Sequence, residues 1–333
     1  MNDINEDITE YLTRATRTSS QLVHSKAIPI PYLIEPFLIR SQFHIITGKI
    51  GSMKSFFSLY LAGQLAEKGE NVIYIDKENG IMQIEARARL LDLPDVDNLQ
   101  YWSERPNMDK SLIPPDFRKI ALYEQIIKTI KQPILIFDTL NRFGGGSLDE
   151  NSVKDVTRLT EPLISLARKG ATLLVIHQAG KESPSFNGQA PYLRRYRGSS
   201  EIGGACDQAY QIINHKQLSP SSASFTIQCF KTRWLPFEDQ HIVFDAGSFY
   251  TLPKHIPDAE TFLEIRSKIT KYLKQCPEVR KQEITEALGS KKWGNYRTES
   301  VGWLLDNCRK NYWMKLQGTL PNSIVYKNIP EMK

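Results

Sequence analysis

A short apolar run that breaks into a glycine-rich turn and then into a helix constrains this chain more than any other segment. Residues 43–46 are apolar, Gly48 follows them, and Lys54-Ser55 precedes a second apolar run at 56–62. Gly48 and Lys54-Ser55 have the spacing of the G-x-x-x-x-G-K-[ST] loop, which joins a strand to a helix. In such a loop, backbone N–H groups and the positive end of a helix dipole face a polyphosphate. The segment therefore predicts an α/β fold with a nucleotide site.

Each position of this loop has an expected task. Lys54 is expected to reach the β- and γ-phosphates, and the Ser55 hydroxyl to bind Mg²⁺. Met53 stands where the motif has glycine, and we expect right-handed helical dihedrals there, which would preserve the fold of the loop. ATP and Mg²⁺ are the expected cofactors. The predicted nucleotide contacts are Gly48, Lys49, Gly51, Ser52, Met53, Lys54, Ser55 and Phe56.

Strands and helices are predicted to alternate after residue 41. Short apolar runs separated by helical stretches are typical of a mostly parallel sheet covered on both faces, and three later strands predict an antiparallel extension. The predicted strands are 43–47, 71–75, 134–137, 172–177, 209–214, 224–230 and 241–245. The predicted helices are 54–67, 81–91, 115–130 and 153–169.

Bulk composition excludes several classes of protein. Hydrophobic residues make up 41% of the 333 residues and charged residues 24%, as in an ordinary folded protein with a large core. No apolar stretch approaches the ~18 residues of a membrane span, and the first residues lack a signal-peptide core. The four cysteines lack the spacing of a zinc site or a disulfide framework. We therefore expect a cytoplasmic protein.

The C-terminal part differs from the rest in charge. Residues 260–333 carry 14 Lys or Arg and 8 Asp or Glu, a net charge of +6 that equals the net charge of the whole chain. Three short predicted helices followed by two strands suit a small winged helix-turn-helix domain. The expected divisions are a flexible segment at 1–27, the α/β core at 28–252, a linker at 253–259 and the basic domain at 260–333.

Three basic residues of this domain are candidates for contacts with DNA. Lys291, Lys292 and Arg297 fall on or beside the expected recognition helix, and clustered positive charge favours an anionic partner. The alternative is a solvated basic face on an oligomerisation module.

Acidic residues follow two of the predicted strands. Asp138 ends the apolar run 134–137, which is the Walker B form, in which the carboxylate meets the Mg²⁺ shell. Glu78 follows another strand, at the edge where α/β sheets bind ligands, and can deprotonate the water that attacks a γ-phosphate. Asp76 is the alternative base, but it still falls within the strand, and a turn cap is its other role. We favour Glu78.

His177 and Gln178 end a further strand of the same sheet. A polar pair at that edge can sense the γ-phosphate and transmit its presence to the loop that follows. The alternative for His177 is a buried imidazole that is satisfied by the backbone.

Several segments in order resemble the RecA-fold ATPases of the plasmid RepA-type hexameric replicative helicase family. The segments are Val72–Asn79, Asp138-Thr-Leu-Asn-Arg-Phe143, Glu150-Asn151, Gly170–Lys181 and Arg197-Gly-Ser-Ser200. The similarity covers about residues 28–250. It implies a RecA-like core whose ATP site lies between subunits of a ring, with DNA in the pore.

The resemblance also implies roles for individual residues. Glu78 would be the base, Asp138 the metal-associated acid and His177 the γ-phosphate sensor. A basic finger from the neighbouring subunit would complete the site, because a cation that arrives in trans stabilises charge on the transferring phosphoryl group. The candidates for this finger are Arg197 and the pair Lys231 and Arg233.

Two loops combine basic and aromatic residues that suit single-stranded DNA. Such side chains supply phosphate contacts and base stacking. The loop after the sensor strand contains Tyr192, Arg194, Arg195 and Tyr196. The second candidate is Arg142, in a segment expected to be flexible because glycines follow at 144–146. Loops of this composition are also often merely mobile.

The leading functional prediction is an ATP-driven ring motor on single-stranded DNA, a replicative helicase of a plasmid, phage or other mobile element. Its expected partners are further copies of the chain in a hexameric ring, single-stranded DNA, and duplex DNA or a replication protein at the C-terminal domain. One alternative is a DNA-binding regulator or loader that uses ATP as an assembly switch. A signalling ATPase acting on protein is a third possibility, which the basic C-terminal domain disfavours.

Overall fold

The computed structural model divides the chain into two compact units, residues 1–39 and 40–333. The first unit contains helices α1 (Ile8–Ala15) and α2 (Ser19–Val23) and the antiparallel strands β1 (Tyr32–Ile34) and β2 (Leu38–Ile39). Thr18 and Gln21 form a capping box at the start of α2. This capping accounts for α2 in a segment that the sequence predicts to be poorly ordered. The structure describes residues 8–26, 29–145, 152–180, 201–234, 236–276, 279–308, 312–317 and 324–329.

A nine-stranded sheet forms most of the second unit. Its strands are β3 (Phe43–Gly48), β4 (Val72–Asp76), β5 (Leu99–Ser103), β6 (Ile134–Asp138), β7 (Thr172–Gln178), β8 (Gln208–Ser219), β9 (Ser222–Thr232), β10 (Gln240–Asp245) and β11 (Ser248–Thr251). Their spatial order is β11-β10-β9-β8-β3-β7-β6-β4-β5. Strands β8 to β5 in that order run parallel, and β9, β10 and β11 extend the sheet in antiparallel fashion. The predicted α/β fold class is confirmed.

Helices connect the parallel strands. They are α3 (Lys54–Glu67), α4 (Ile81–Leu90), α5 (Ile120–Thr129), α6 (Val153–Arg168) and α7 (Glu201–Ala205). The predicted start of α5 at residue 115 is wrong, because the Asp116 side chain caps a separate 3₁₀ turn at Phe117–Lys119. Strands β5 and β11 were not predicted from the sequence; they are the two edge strands of the sheet and are short.

The register of the parallel strands brings their carboxyl ends to one edge. Gly48 at the end of β3 lies beside Gln178 of β7. Asp76 at the end of β4 lies beside Asp138 of β6. The strands leading to this edge are almost entirely buried, as expected for a parallel sheet covered on both faces. The sheet therefore presents the predicted site residues at one edge.

The C-terminal subdomain, residues 259–329, has three helices and a small antiparallel sheet. Its elements are α8 (Ala259–Gln275), β12 (Val279–Arg280), α9 (Lys281–Leu288), α10 (Thr298–Asn307), β13 (Trp313–Gln317) and β14 (Ile324–Asn328), with the sheet order β12-β14-β13. The helices and the hairpin agree with the predicted elements, whereas β12 was not predicted.

The C-terminal subdomain shares a hydrophobic cluster with the large sheet. Val243 of β10 and Tyr250 of β11 belong to the same buried cluster as Phe262 and Trp313. Ile256, in the predicted linker, is buried there too. This apolar contact fixes the subdomain on the antiparallel end of the sheet.

A buried carboxylate adds polar contacts to the same junction. Asp245 at the end of β10 accepts hydrogen bonds from the Ser222 and Tyr312 hydroxyls and pairs with Arg266 at 3.0 Å. Arg266 lies over the Tyr312 ring. Buried charges are stable when they are paired in this way. In the described part of the chain, no helix is both long and apolar enough to cross a membrane.

Candidate nucleotide-binding site

A cavity of about 650 Å³ opens at the carboxyl edge of the parallel strands. We call it the P-loop cavity. Its lining residues are Ile50, Gly51, Ser52, Met53, Lys54, Ser55, Phe56, Glu78, Asn79, Arg87, Leu90, Thr139, Asn141, Arg142, Gln178, Gln217, Pro220 and Phe244. The loop after β3 forms one wall and ends at α3, as the sequence predicts.

Lys54, the first residue of α3, is held at the turn of this loop. Its Nζ donates to the carbonyl oxygens of Gly48 at 3.0 Å and Lys49 at 2.7 Å. Burial lowers the pKa of Lys54, and the nearby carboxylates of Asp138 and Glu78 oppose that shift. The ammonium therefore lies close to both acidic groups that the sequence places in the site.

Two positions of the loop have specific conformational requirements. A Cβ atom on Gly48 would lie 2.5 Å from the Ser52 Oγ atom and 3.3 Å from Ile212 of β8, so a larger residue there would displace the Ser52 side chain and crowd the neighbouring strand. Gly51 has a φ of +77°, in the left-handed region that glycine adopts without steric penalty.

Met53 does not have the predicted backbone conformation. Its φ and ψ are +66° and 14°, which is left-handed, so the expectation of right-handed helical dihedrals is wrong. A residue with a Cβ atom is less stable there by roughly 1–2 kcal/mol, because the Cβ approaches the following carbonyl oxygen. The loop thus keeps the backbone that a glycine would adopt and places a half-buried Met side chain on it.

Asp138 is fully buried at the end of β6. The Tyr74 hydroxyl donates to its Oδ2 at 2.9 Å. Burial, together with the neighbouring Asp76 and Glu78, raises the pKa of Asp138 to about 7, although hydrogen bonds from Ser55 and Tyr74 oppose the rise. Near neutral pH and without bound Mg²⁺, this carboxyl group therefore exchanges between its protonated and charged forms.

The donor set around Asp138 fits a hydrated Mg²⁺ ion. Its Oδ1 atom is buried and accepts no hydrogen bond of standard geometry from the described residues, although the Ser55 hydroxyl lies close enough to favour the charged form. A hydroxyl and one carboxylate beside a phosphate-binding loop are the protein groups that hold Mg²⁺ in P-loop sites. Groups of three or more His, Cys, Asp or Glu suited to a metal are absent from the described residues, which agrees with such a sparse set.

Glu78 and Asp76 have different surroundings. Asp76 accepts hydrogen bonds from the backbone N–H groups of Glu78 and Asn79, both at 2.7 Å, and so organises the loop after β4. Glu78 lines the cavity, and the Thr139 hydroxyl donates to its Oε2 at 2.9 Å. One carboxylate therefore shapes the loop, and the other faces the cavity.

His177 and Gln178 lie where the sequence predicts them, at the end of β7 beside the loop. Gln178 lines the cavity, whereas His177 is completely buried. The register pairs them with Thr47 and Gly48. Only Gln178 of this pair has direct access to the cavity space.

The wall of the cavity at the start of α3 is aromatic and cationic. The Arg87 guanidinium lies over the Phe56 ring at 5.0 Å and donates to the Asn79 side chain at 3.0 Å. Phe244 of β10 meets Phe56 edge to face at 6.2 Å between ring centres. Arg87 and Phe244 were not predicted as site residues. Arg87 occupies an ordinary polar position of a helix, and Phe244 occupies an ordinary apolar position of a strand.

Lys231 and Arg233 lie at the opposite edge of the sheet from their own P-loop. Thr232 pairs with Gln208 at the start of β8, which is level with the start of β3. Lys231 Nζ donates to the three carbonyl oxygens of Gly203, Gly204 and Cys206. Arg233 is 59% exposed and pairs with Asp207 at 2.9 Å. The two predicted finger candidates thus differ: Lys231 is an internal anchor, and Arg233 is accessible.

The remaining predicted residues are not part of the cavity. Lys291 and Lys292 lie in the turn between α9 and α10, Arg297 is the N-cap of α10, and all three are exposed. Arg197 and the loop residues Tyr192, Arg194, Arg195 and Tyr196 lie outside the described residues.

Comparison with known proteins agrees with this fold. A family model described as AAA domain matches residues 10–184, more than half of the chain. No curated protein matches this chain. The chain is similar to a solved structure described as a DnaB-like replicative helicase and its interactions with primase, with 15% identity and a TM-score of 0.52. That similarity covers 74% of this chain and 69% of the other, and at this identity it supports the fold alone.

Proposed function

Because the chain belongs to this AAA domain family, we propose that it is an ATP-hydrolysing, RecA-like ring motor on single-stranded DNA, of the replicative helicase type. The observation that supports this most is the P-loop cavity, where Lys54, Ser55, Glu78 and Gln178 converge beside the buried Asp138. The plasmid RepA-type assignment, and with it a plasmid, phage or other mobile element as the context, follows from the motif resemblance.

The residues of the cavity support a direct hydrolysis step. Glu78 accepts a proton from a water molecule while the water oxygen attacks the γ-phosphorus of ATP. The bond from the γ-phosphorus to the β,γ-bridging oxygen breaks, that oxygen stays with ADP, and inorganic phosphate leaves. The Thr139 hydroxyl donates to Oε2 of Glu78 and so orients the carboxylate, whose remaining lone pairs can accept the proton of the water.

The other residues bind and orient the triphosphate. Backbone N–H groups of the loop and the Lys54 ammonium hold the phosphates, and Ser55 and Asp138 would hold Mg²⁺. Mg²⁺, when bound, neutralises phosphate charge. Gln178 contacts the γ-phosphate, and the buried His177 holds the end of β7 beneath it, so that the two together sense the nucleotide.

A head-to-tail ring would bring a second subunit to this site. Apolar side chains are exposed around the cavity, with Ile50 at 82%, Met82 at 77% and Leu90 at 50%. Arg233 and the exposed Trp234 lie at the opposite edge of the sheet. Two different surfaces that contact each other generate a ring when the rotation closes.

Arg233 is our choice for the finger that acts in trans. It is accessible, and its Asp207 partner is fixed by the Phe43 backbone N–H at 2.9 Å, which holds the guanidinium in one place. Lys231 is occupied by three carbonyl groups and serves to support that strand end. Arg197 remains the alternative that the motif resemblance also offers.

The C-terminal subdomain is proposed to be a winged helix that binds DNA or a replication protein. Its succession of three helices and a three-stranded sheet supports this assignment. Lys291, Lys292 and Arg297 are the proposed phosphate contacts, because all three are exposed around the start of α10. The loop with Tyr192, Arg194, Arg195 and Tyr196 is proposed to contact single-stranded DNA in the pore.

A second candidate function is a DNA-binding regulator or loader that uses ATP only as an assembly switch. The left-handed Met53 favours this version, because backbone strain in the loop would weaken phosphate binding. Unwinding of a forked duplex in the presence of Mg-ATP supports the motor. ATP-dependent DNA binding and ring assembly without unwinding supports the switch.

The finger assignment is tested by mixing two inactive proteins. Lys54→Ala removes the P-loop cation, and Arg233→Ala removes the trans cation. A mixture of the two should recover ATPase activity, because some interfaces then combine an intact P-loop with an intact finger. Arg158→Ala also removes an exposed arginine, on α6, and is the control that should keep full turnover by itself. If Arg233→Ala alone retains full turnover, the finger is not Arg233.

A further inference from the structure

Arg142 belongs to a rigid turn rather than to a flexible loop. Leu140–Phe143 form a 3₁₀ turn in which Leu140 and Phe143 are fully buried. The Phe143 ring stacks on Phe117 at 5.3 Å and meets Phe137 edge to face at 5.1 Å. The prediction of a flexible segment at Arg142 is therefore wrong, because the aromatic core anchors both ends of the turn.

This turn carries Arg142 to the P-loop cavity. Its backbone N–H donates to the Thr139 carbonyl at 2.9 Å, and the exposed side chain lines the cavity. Thr139 in turn donates to Glu78, the proposed base. Arg142 and the proposed base are thus held by the same short turn, directly after the buried Asp138.

Of the cations that line the P-loop cavity, Arg142 is the one whose side chain is free to bind a ligand among the described residues. Among its described lining residues, Lys54, Arg87 and Arg142 are the cations, and Glu78 is the acid. Lys54 donates to two P-loop carbonyls and has one N–H left for the phosphates, whereas Arg87 donates to Asn79 and lies over the Phe56 ring. Arg142 has no ion-pair partner among the described residues, so its five N–H donors are available to a ligand.

We infer that Arg142 contacts the γ-phosphate of the nucleotide bound by its own subunit, and that it thereby makes the site prefer ATP over ADP. The inference rests on the proposed function, because it requires a triphosphate in the cavity. An arginine fork matches the geometry of a terminal phosphate and remains charged at every physiological pH. The turn brings this cation to the side of the cavity where Glu78 and Gln178 act.

The test is calorimetric titration of the full chain with Mg-ADP and with Mg-AMP-PNP, in the absence of DNA. Arg142→Ala should weaken AMP-PNP binding at least about tenfold, the effect of losing a charged hydrogen bond, and change ADP binding less than twofold. Arg142→Lys should give an intermediate loss, because it keeps the charge without the fork. A defect in folding would lower both affinities together.

Two neighbouring arginines provide controls. Arg89→Ala removes an exposed arginine of α4 that does not line the cavity and should change neither affinity. Arg87→Ala should weaken both nucleotides to the same extent. The inference is overturned if Arg142→Ala weakens ADP and AMP-PNP equally, weakens neither, or lowers only the affinity for single-stranded DNA. Failure of the wild-type chain to bind either nucleotide would instead refute the proposed function.

Discussion

The P-loop cavity and the C-terminal subdomain use their polar residues in opposite ways. In the cavity, side chains from several strand ends converge on open space, and the Asp138 Oδ1 atom is left without a standard hydrogen bond among the described residues. In the subdomain, Asp306 pairs with Lys281 at 2.6 Å and accepts from the Tyr326 hydroxyl at 3.1 Å. Polar groups that satisfy one another build a scaffold, whereas polar groups left facing a cavity can act on a ligand.

The two regions also differ in how their net charge relates to the charges at their proposed binding surfaces. The C-terminal subdomain lies within the segment that carries the whole net charge of the chain, yet α10 itself contains Glu299 and Asp306 and no Lys or Arg. Its basic residues flank the helix. The P-loop cavity belongs to a region with no net charge but gathers three cations around one acid. Local convergence, rather than composition, indicates the chemistry.

The largest effect should follow from removal of the Lys54 ammonium. Lys54→Ala is expected to reduce ATP turnover at least about 100-fold, the scale of losing one preorganised donor to a transition-state charge. Lys68→Ala, at the other end of α3, removes an equal charge and should leave turnover unchanged. Steady-state ATPase assays make the comparison. Equal turnover in the two variants would show that the cavity does not act on ATP.

Removal of the proposed base should separate binding from hydrolysis. Glu78→Gln is expected to slow turnover by about 10²–10⁴-fold while Mg-ATP still binds, because the amide cannot accept the proton of water. Single-turnover hydrolysis and calorimetry measure the two properties. The matched variant Asp76→Asn should instead loosen the loop after β4 and weaken binding. Rapid hydrolysis by Glu78→Gln would transfer the base to Asp76.

The C-terminal subdomain is tested by its salt dependence. Replacement of Lys291, Lys292 and Arg297 by Gln should make the negative slope of log DNA affinity against log salt shallower by about 2–3, since each phosphate contact contributes about 0.7–0.9 to its magnitude. Basal ATP turnover should not change. The control replaces Lys268, Lys271 and Lys274 of α8 by Gln, which removes the same charge elsewhere. An unchanged slope in the first variant would favour the oligomerisation module.

Asp138 should make stability depend on pH in a defined direction. Burial raises its pKa to about 7, so the folded state holds this proton more tightly than the unfolded state does. The stability that this provides is complete below about pH 4 and is lost as the pH rises through 7. Without Mg²⁺ or nucleotide, the difference in free energy of unfolding between Asp138→Asn and the wild type should increase by about 1–3 kcal/mol from pH 5 to pH 8, in favour of the variant. Urea unfolding measures it, and a pH-independent difference would contradict the raised pKa.

Met53→Gly should have the smallest effect. Glycine removes the steric penalty of the left-handed conformation, roughly 1–2 kcal/mol, but adds roughly 0.5–1 kcal/mol of chain entropy to the unfolded state. The free energy of unfolding should therefore rise by about 1 kcal/mol or less, and nucleotide affinity should not fall. Met53→Ala keeps the Cβ atom and is the control that should show no gain. Weaker nucleotide binding in Met53→Gly would indicate that the Met side chain itself contacts the ligand.

The sequence predicted the site residues whose positions follow from strand order. Asp138 and Gln178 end parallel strands, and Lys54 follows the glycine-containing loop after β3, so all three lie at one sheet edge. That pattern is visible in the sequence. The conformation of Met53 was not predictable, because the loop imposes it against the preference of the residue. Arg142 was named from the sequence as a DNA contact in a flexible segment. Its rigid turn beside the cavity was not predictable, since the buried Phe143 that anchors the turn packs against Phe117 from an earlier part of the chain.

Calorimetry with Mg-AMP-PNP measures whether the P-loop cavity binds a nucleoside triphosphate, on which every proposed role of its residues depends. We expect one nucleotide bound per chain in the wild-type protein and no measurable binding in Lys54→Ala. Absence of binding heat in the wild type at every temperature tried, or equal binding by the two proteins, would contradict this expectation.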